Sequence, residues 1–108
     1  MRLVILESPY AGDVDANVNY ARRAMADSLH RGEAPLASHL LYTQPGVLRD
    51  HDPDERALGI RAGLAWGTVA EATVVYADLG ITPGMEQGIT RAATEGRPVE
   101  VRYIGGAA

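Results

Sequence analysis

The hydrophobic period of this chain switches back and forth between that of a strand and that of a helix, in regular alternation. Arg2 to Leu6 is apolar at four successive positions, as a buried strand would be. Ser8-Pro9-Tyr10-Ala11-Gly12-Asp13 breaks that run with a proline and a glycine. Asp13 then reads as the N-cap of a helix whose apolar stripe is Val14, Val18, Ala21, Met25 and Leu29, with Gly32 as its stop. A second strand is expected from Ala34 to Ser38, with Pro35 placing it at an edge or at a strand start. His39 to Asp50 reads as a loop. Asp52-Pro53-Asp54-Glu55 opens a second helix with a capping aspartate and proline at the first helical position, and the helix is expected to reach about Ala70. Thr73 to Ala77 is β-branched and apolar, a third strand. Thr82-Pro83 starts a third long helix that ends at Gly96. Val99 to Ile104 reads as a last strand, and Gly105 to Ala108 as a frayed tail.

An order of β-α-β-α-β-α-β calls for a parallel sheet with right-handed crossovers and helices on both faces. The expectation is therefore one flavodoxin-like α/β domain over residues 1–108, three-layered, with four parallel strands in the order 2-1-3-4. In such sheets ligands bind outside the carboxyl ends of the strands, where the strand order reverses. That directs attention to two loops, Ser8 to Asp13 and Asp78 to Glu86. Composition narrows the chemistry. The chain has no cysteine, which removes thiolate nucleophiles, cysteine-ligated metals and disulfides. Every basic residue is arginine, so no lysine can serve as a Schiff base or a P-loop group. A net charge of −4 argues against a general nucleic-acid or anionic-membrane surface. No apolar run approaches a membrane span and the start has no signal-peptide shape, so a cytoplasmic protein is expected.

Within the first loop, Ser8, Pro9, Tyr10, Gly12 and Asp13 join a strand end to a helix N-terminus, where backbone N–H groups favour an anion. The same residues also suit a plain tight turn with a capping aspartate. No Walker or dinucleotide fingerprint is present. At the other loop, Gly84 and Met85 precede Glu86, which falls in a first helical turn where the dipole keeps a carboxylate ionised. Such a carboxylate, aimed into the crevice, could attack an anomeric carbon, although glutamate is common there for stability alone. His39 follows the second strand, beside the first loop in the expected order, as a proton donor or a plain surface residue. Three scattered histidines have no metal-ligand spacing, and the three serines form no triad pattern, so no metal and no cofactor are expected. Gly59, Gly63 and Gly67 make a smooth helix face suited to another helix or a second subunit.

Together, Leu6-Glu7-Ser8-Pro9-Tyr10-Ala11-Gly12, Ser38-His39 and Gly84-Met85-Glu86-Gln87-Gly88 give a sequence that resembles the nucleoside 2-deoxyribosyltransferase-like superfamily. That group includes deoxyribosyltransferases and nucleotide N-glycosidases. The chain is also similar to short bacterial and phage proteins that share Ser-Pro-Tyr-x-Gly, Pro-x-Ala-x-His-Leu-Leu and a Gly-Met helix start. The resemblance implies a nucleoside or nucleotide substrate, cleavage of the base–sugar bond, and Glu86 as nucleophile. It further implies Ser8 to Gly12 as a sugar or phosphate cradle, His39 near the base or sugar, Asp78 close by, and a homo-oligomer of at least two chains. The superfamily's aspartate on the helix before the third strand has no counterpart in Gly63-Leu64-Ala65-Trp66-Gly67. Asp78 or Glu71 would have to substitute. A non-catalytic nucleotide-binding module of the same fold is the main alternative, and an interaction domain with a vestigial crevice a third.

Overall fold

The computed structural model describes residues 1–105; the end of the expected frayed tail, 106–108, lies outside the described residues. Four strands, β1 (Arg2–Glu7), β2 (Glu33–Leu36), β3 (Ala72–Tyr76) and β4 (Val99–Arg102), pair in parallel in the order β2-β1-β3-β4. The expected parallel sheet and strand order are both present. Strand order reverses between β1 and β3, which puts the switch point at the carboxyl ends of the two central strands.

Alternation along β1 sorts its side chains by face. Val4 and Leu6 enter the core with Val74 and Tyr76 of β3, while Ile5 and Glu7 turn to the opposite face. Helix α1 (Val14–His30) covers the first face with Tyr20 and Ala24. The fully buried side of α1 is Asn17, Tyr20, Ala21, Ala24 and Ser28; of the expected apolar stripe, Ala21 is buried and Met25 packs partly buried against the core, while the two ends do not. Val14 and Leu29 are exposed. The reason is chemical: polar residues on the inner side find partners there. Asn17 Nδ2 donates to the carbonyls of Tyr10 and Ala11, Tyr20 bonds Asp78, and Ser28 Oγ donates to Glu33 Oε1 at 2.7 Å. Small alanines between them let the helix approach closely.

Beyond β2 the chain does not form a loop throughout, as expected from His39 onwards. It turns at once into a one-turn helix, α2 (Ser38–Leu41), capped by the Ala37 carbonyl. Helix α3 (Pro53–Trp66) begins as the sequence indicates, with Asp52 accepting from the N–H groups of Asp54 and Glu55 at 2.9 and 3.2 Å. It tightens into a 3₁₀ turn at Gly67–Val69 instead of continuing to Ala70. No residue of α3 is buried, for it leans on α2 and the 3₁₀ turn. Helix α4 (Pro83–Thr94) buries Met85, Gly88 and Ala92 and packs on β3 and β4.

Gly59, Gly63 and Gly67 face the chain's own interior. A Cβ on Gly63 would lie 2.8 Å from Ser38 Cβ, and one on Gly67 would lie 2.9 Å from Arg97 Nη2. The smooth face thus accommodates α2 and Arg97; it is not a surface presented to a second subunit.

Candidate functional site

Because α3 stands off the sheet, a cleft of about 480 Å³ opens between α3, α4 and the carboxyl end of β1. Both loops singled out in the sequence contribute. Ser8 and Tyr10 come from the first, and Thr82, Pro83, Gly84 and Met85 from the second. His39 and Tyr42 close one side, and Ile60 and Leu64 of α3 another. This size and this mix of apolar wall with a few polar groups are typical of small-molecule sites.

Several polar residues of the cleft are held by the fold. The β1–α1 loop is clamped by Asn17, and Gly12 takes a φ of 102°, a turn that a side chain would strain. Ser8 is buried, and its Oγ lies 2.7 Å from His39 Nε2. Burial pushes the His39 imidazole down to about 4, so it is neutral at physiological pH and can share a single proton with the serine. Thr82 caps α4 by accepting from Met85 N at 3.3 Å, while Thr82 N donates to Met85 Sδ at 3.4 Å. Arg97 is fixed by Thr73 Oγ1 at 3.0 Å, the Gly67 carbonyl at 2.6 Å and Glu95 at 2.7 Å.

Of the residues expected at a site, Ser8, Tyr10, His39, Gly84 and Met85 all line the cleft. Pro9, Gly12 and Asp13 do not; Asp13 serves α1 by accepting from Ala16 N at 3.2 Å. Asp78 is also outside the lining, and its carboxylate is spent on structure. It accepts from the Tyr20 hydroxyl and from the backbone N–H groups of Ile104 and Gly105, both at 2.9 Å. These bonds, the tyrosine's first, hold its carboxyl below the ordinary value. Glu86, expected to be aimed into the crevice, is exposed in the first turn of α4, beside Met85 and Gln87, which line the cleft. It is not itself among the residues that line the cleft.

Sequence reasoning passed over Glu7. This last residue of β1 lines the cleft, and desolvation pushes its carboxyl up to about 7 against a smaller opposing pull from Arg97. A glutamate closing a strand carries no signal of its own; only the sheet's alternation and the position of α4 reveal it. Among the described residues no three His, Asp or Glu side chains converge as a metal would require, and no helix is long and apolar enough to cross a membrane.

A family model described as a domain of unknown function (DUF7768) matches residues 2–102. The chain belongs to that family. No curated protein matches it. Among solved structures, a 2-deoxyribosyltransferase from Bacillus psychrosaccharolyticus superposes with a TM-score of 0.66 at 18% identity, covering 96% of this chain and 74% of that one. The CMP N-glycosidase BcmB of Clostridium botulinum superposes with a TM-score of 0.56 at 11% identity, covering 94% and 69%. At such identities the likeness shows that the DUF7768 chain shares their fold.

Proposed function

We propose that this DUF7768 protein binds a nucleoside or nucleotide in the cleft and cleaves the bond between base and sugar through a carboxylate. The observation that carries this reading is the placement of the cleft: it lies at the switch point of a fold shared with two enzymes named for deoxyribosyl transfer and CMP N-glycoside cleavage. Tyr10, Tyr42 and the apolar side chains of α3 offer surfaces for a base. The Ser8–His39 pair offers a hydroxyl and a neutral imidazole for the sugar's hydroxyl groups. Cleavage needs an oxygen nucleophile at C1′ and departure of the base with the bonding electron pair.

Incubation of the protein with 2′-deoxynucleosides, ribonucleosides and their 5′-monophosphates, followed by chromatography for free base, tests the reading. Release of base above the protein-free rate supports it, and release from none of them rejects catalysis. A second reading, a binding module without turnover, is favoured by the exposure of Glu86. It predicts that members of the same panel raise the melting temperature while every glycosidic bond stays intact.

The protein acts in the cytoplasm as a homodimer or larger assembly under this reading. Leu58, Trp66 and Val69 are exposed along α3 and the turn after it, which supports burial against a further copy. Light scattering should give a mass of at least two 11.5 kDa chains; a single-chain mass would count against assembly.

A further inference from the structure

A phosphate group entering this cleft would look for a cation that is not already paired and for a helix N-terminus whose N–H groups are open. Neither is on offer among the described residues. Two arginines line the cleft, and both are engaged. Arg97 is buried and paired with Glu95 at 2.7 Å, and what remains of its field falls on Glu7. Arg56 lies 3.9 Å from Asp50, which also lines the cleft. The two helices that start at the switch point are closed to anions by their own residues. Asp13 caps α1 by accepting from Ala16 N at 3.2 Å, and Asp15 puts a second acid in its first turn. At α4, Thr82 accepts from Met85 N at 3.3 Å, Pro83 has no N–H to give, and Glu86 is the acid of the first turn. Between these two starts stands Glu7, which precedes the loop to α1 and lays its carboxylate against Gly88 of α4. Among the described residues it accepts no hydrogen bond and belongs to no salt bridge. The other two carboxylates of the cleft differ: Glu55 is bound by Arg49 at 2.7 and 3.0 Å, and Asp50 faces Arg56.

We infer that the cleft takes an uncharged nucleoside and turns away its 5′-monophosphate, and that Glu7 is the side chain that sets this choice. The inference rests on the proposed nucleoside site and narrows its substrate. The hydroxyl groups of a sugar and the N–H groups of a base both give an unpaired carboxylate a hydrogen-bond donor, and a nucleoside carries both. A phosphate brings it a like charge instead, at a place where desolvation strengthens the repulsion and no spare cation relieves it. Specificity of this kind comes from an unfavourable contact with the wrong ligand, not from an added bond to the right one. Burial raises the Glu7 carboxyl to about 7, so it is mostly ionised at pH 8, where a phosphate monoester is a dianion.

Titration calorimetry at pH 8 compares each nucleoside of the panel above with its 5′-monophosphate and with its 5′-O-sulfamate, which has the size of the phosphate but no charge. For a ligand that is cleaved, kcat/KM for base release replaces the Kd. The expected result is that nucleoside and sulfamate are preferred at least about tenfold over the monophosphate, as like charges in a partly desolvated site require. Glu7→Gln, its fold checked by melting, should narrow the gap between sulfamate and monophosphate by about fivefold or more. A monophosphate bound as tightly as its nucleoside, or more tightly, overturns the inference and leaves the nucleoside site in place; loss of that binding in Arg56→Gln would then name its cation. A sulfamate rejected as strongly as the monophosphate also overturns it, since size and not charge would decide. So does a gap that Glu7→Gln leaves unchanged. Binding of none of the panel removes the proposed function and this inference with it.

Discussion

Two titrating side chains of the cleft pull stability in opposite directions with pH. Glu7 has its folded value raised to about 7 by desolvation, so the stability it contributes is present below about pH 4.5 and is lost as pH rises through 7. His39 has its folded value lowered to about 4 by burial, so its contribution is present above about pH 6.5 and is lost as pH falls towards 4. Glu7→Gln removes the first penalty. Urea titration at pH 8 should find that variant more stable than wild type by about 2 kcal/mol, allowing for partial solvent access, with the gain gone at pH 4. His39→Gln should flatten the acid limb in the same assay. Ser8, Tyr10 and His39 could be picked out from sequence because they follow strand ends. Glu7 carried no such signal, since which face of the sheet a strand residue presents to a cleft is fixed by the packing of the helices around it.

Helices α3 and α4 show which signals survive without coordinates. Their starts were legible because Asp52-Pro53 and Thr82-Pro83 cap by local hydrogen bonds that need no tertiary context. Thr82→Ala deletes the acceptor for Met85 N and should cost about 1 kcal/mol by thermal or chemical melting. The buried side of α1 was legible only in part, at Ala21 and Met25, because Asn17, Tyr20 and Ser28 are inward-facing polar residues whose partners lie outside the helix. Helix α2 has only four residues, too few to show a period, yet it carries His39. Its seat depends on Gly63, where a Cβ would come within 2.8 Å of Ser38 Cβ. Gly63→Ala should displace α2, cost about 1–3 kcal/mol, and weaken the Ser8–His39 contact, readable as an upward shift of the His39 titration by NMR.

At the scale of the molecule, the sheet and its order were legible from alternation alone, but the polar layer beneath α1 was not. Arg102 of β4 and Glu33 of β2, both buried, meet in two bonds of 2.7 Å. Arg102 also donates to the Tyr76 hydroxyl at 3.2 Å, Tyr76 donates to Asp27 at 2.7 Å, and the Arg102 bonds hold the Glu33 carboxyl at about 2. Removing one partner strands a buried charge. Arg102→Ala should cost roughly 3–5 kcal/mol, while Arg102→Met with Glu33→Leu should recover most of that, as measured by denaturant unfolding. These two residues belong to the outermost strands on opposite sides of the sheet. Their union works as a cross-brace: the central strands cannot spread without tearing it, so the floor of the cleft is tied edge to edge while α3, none of whose residues is buried, is its least supported wall.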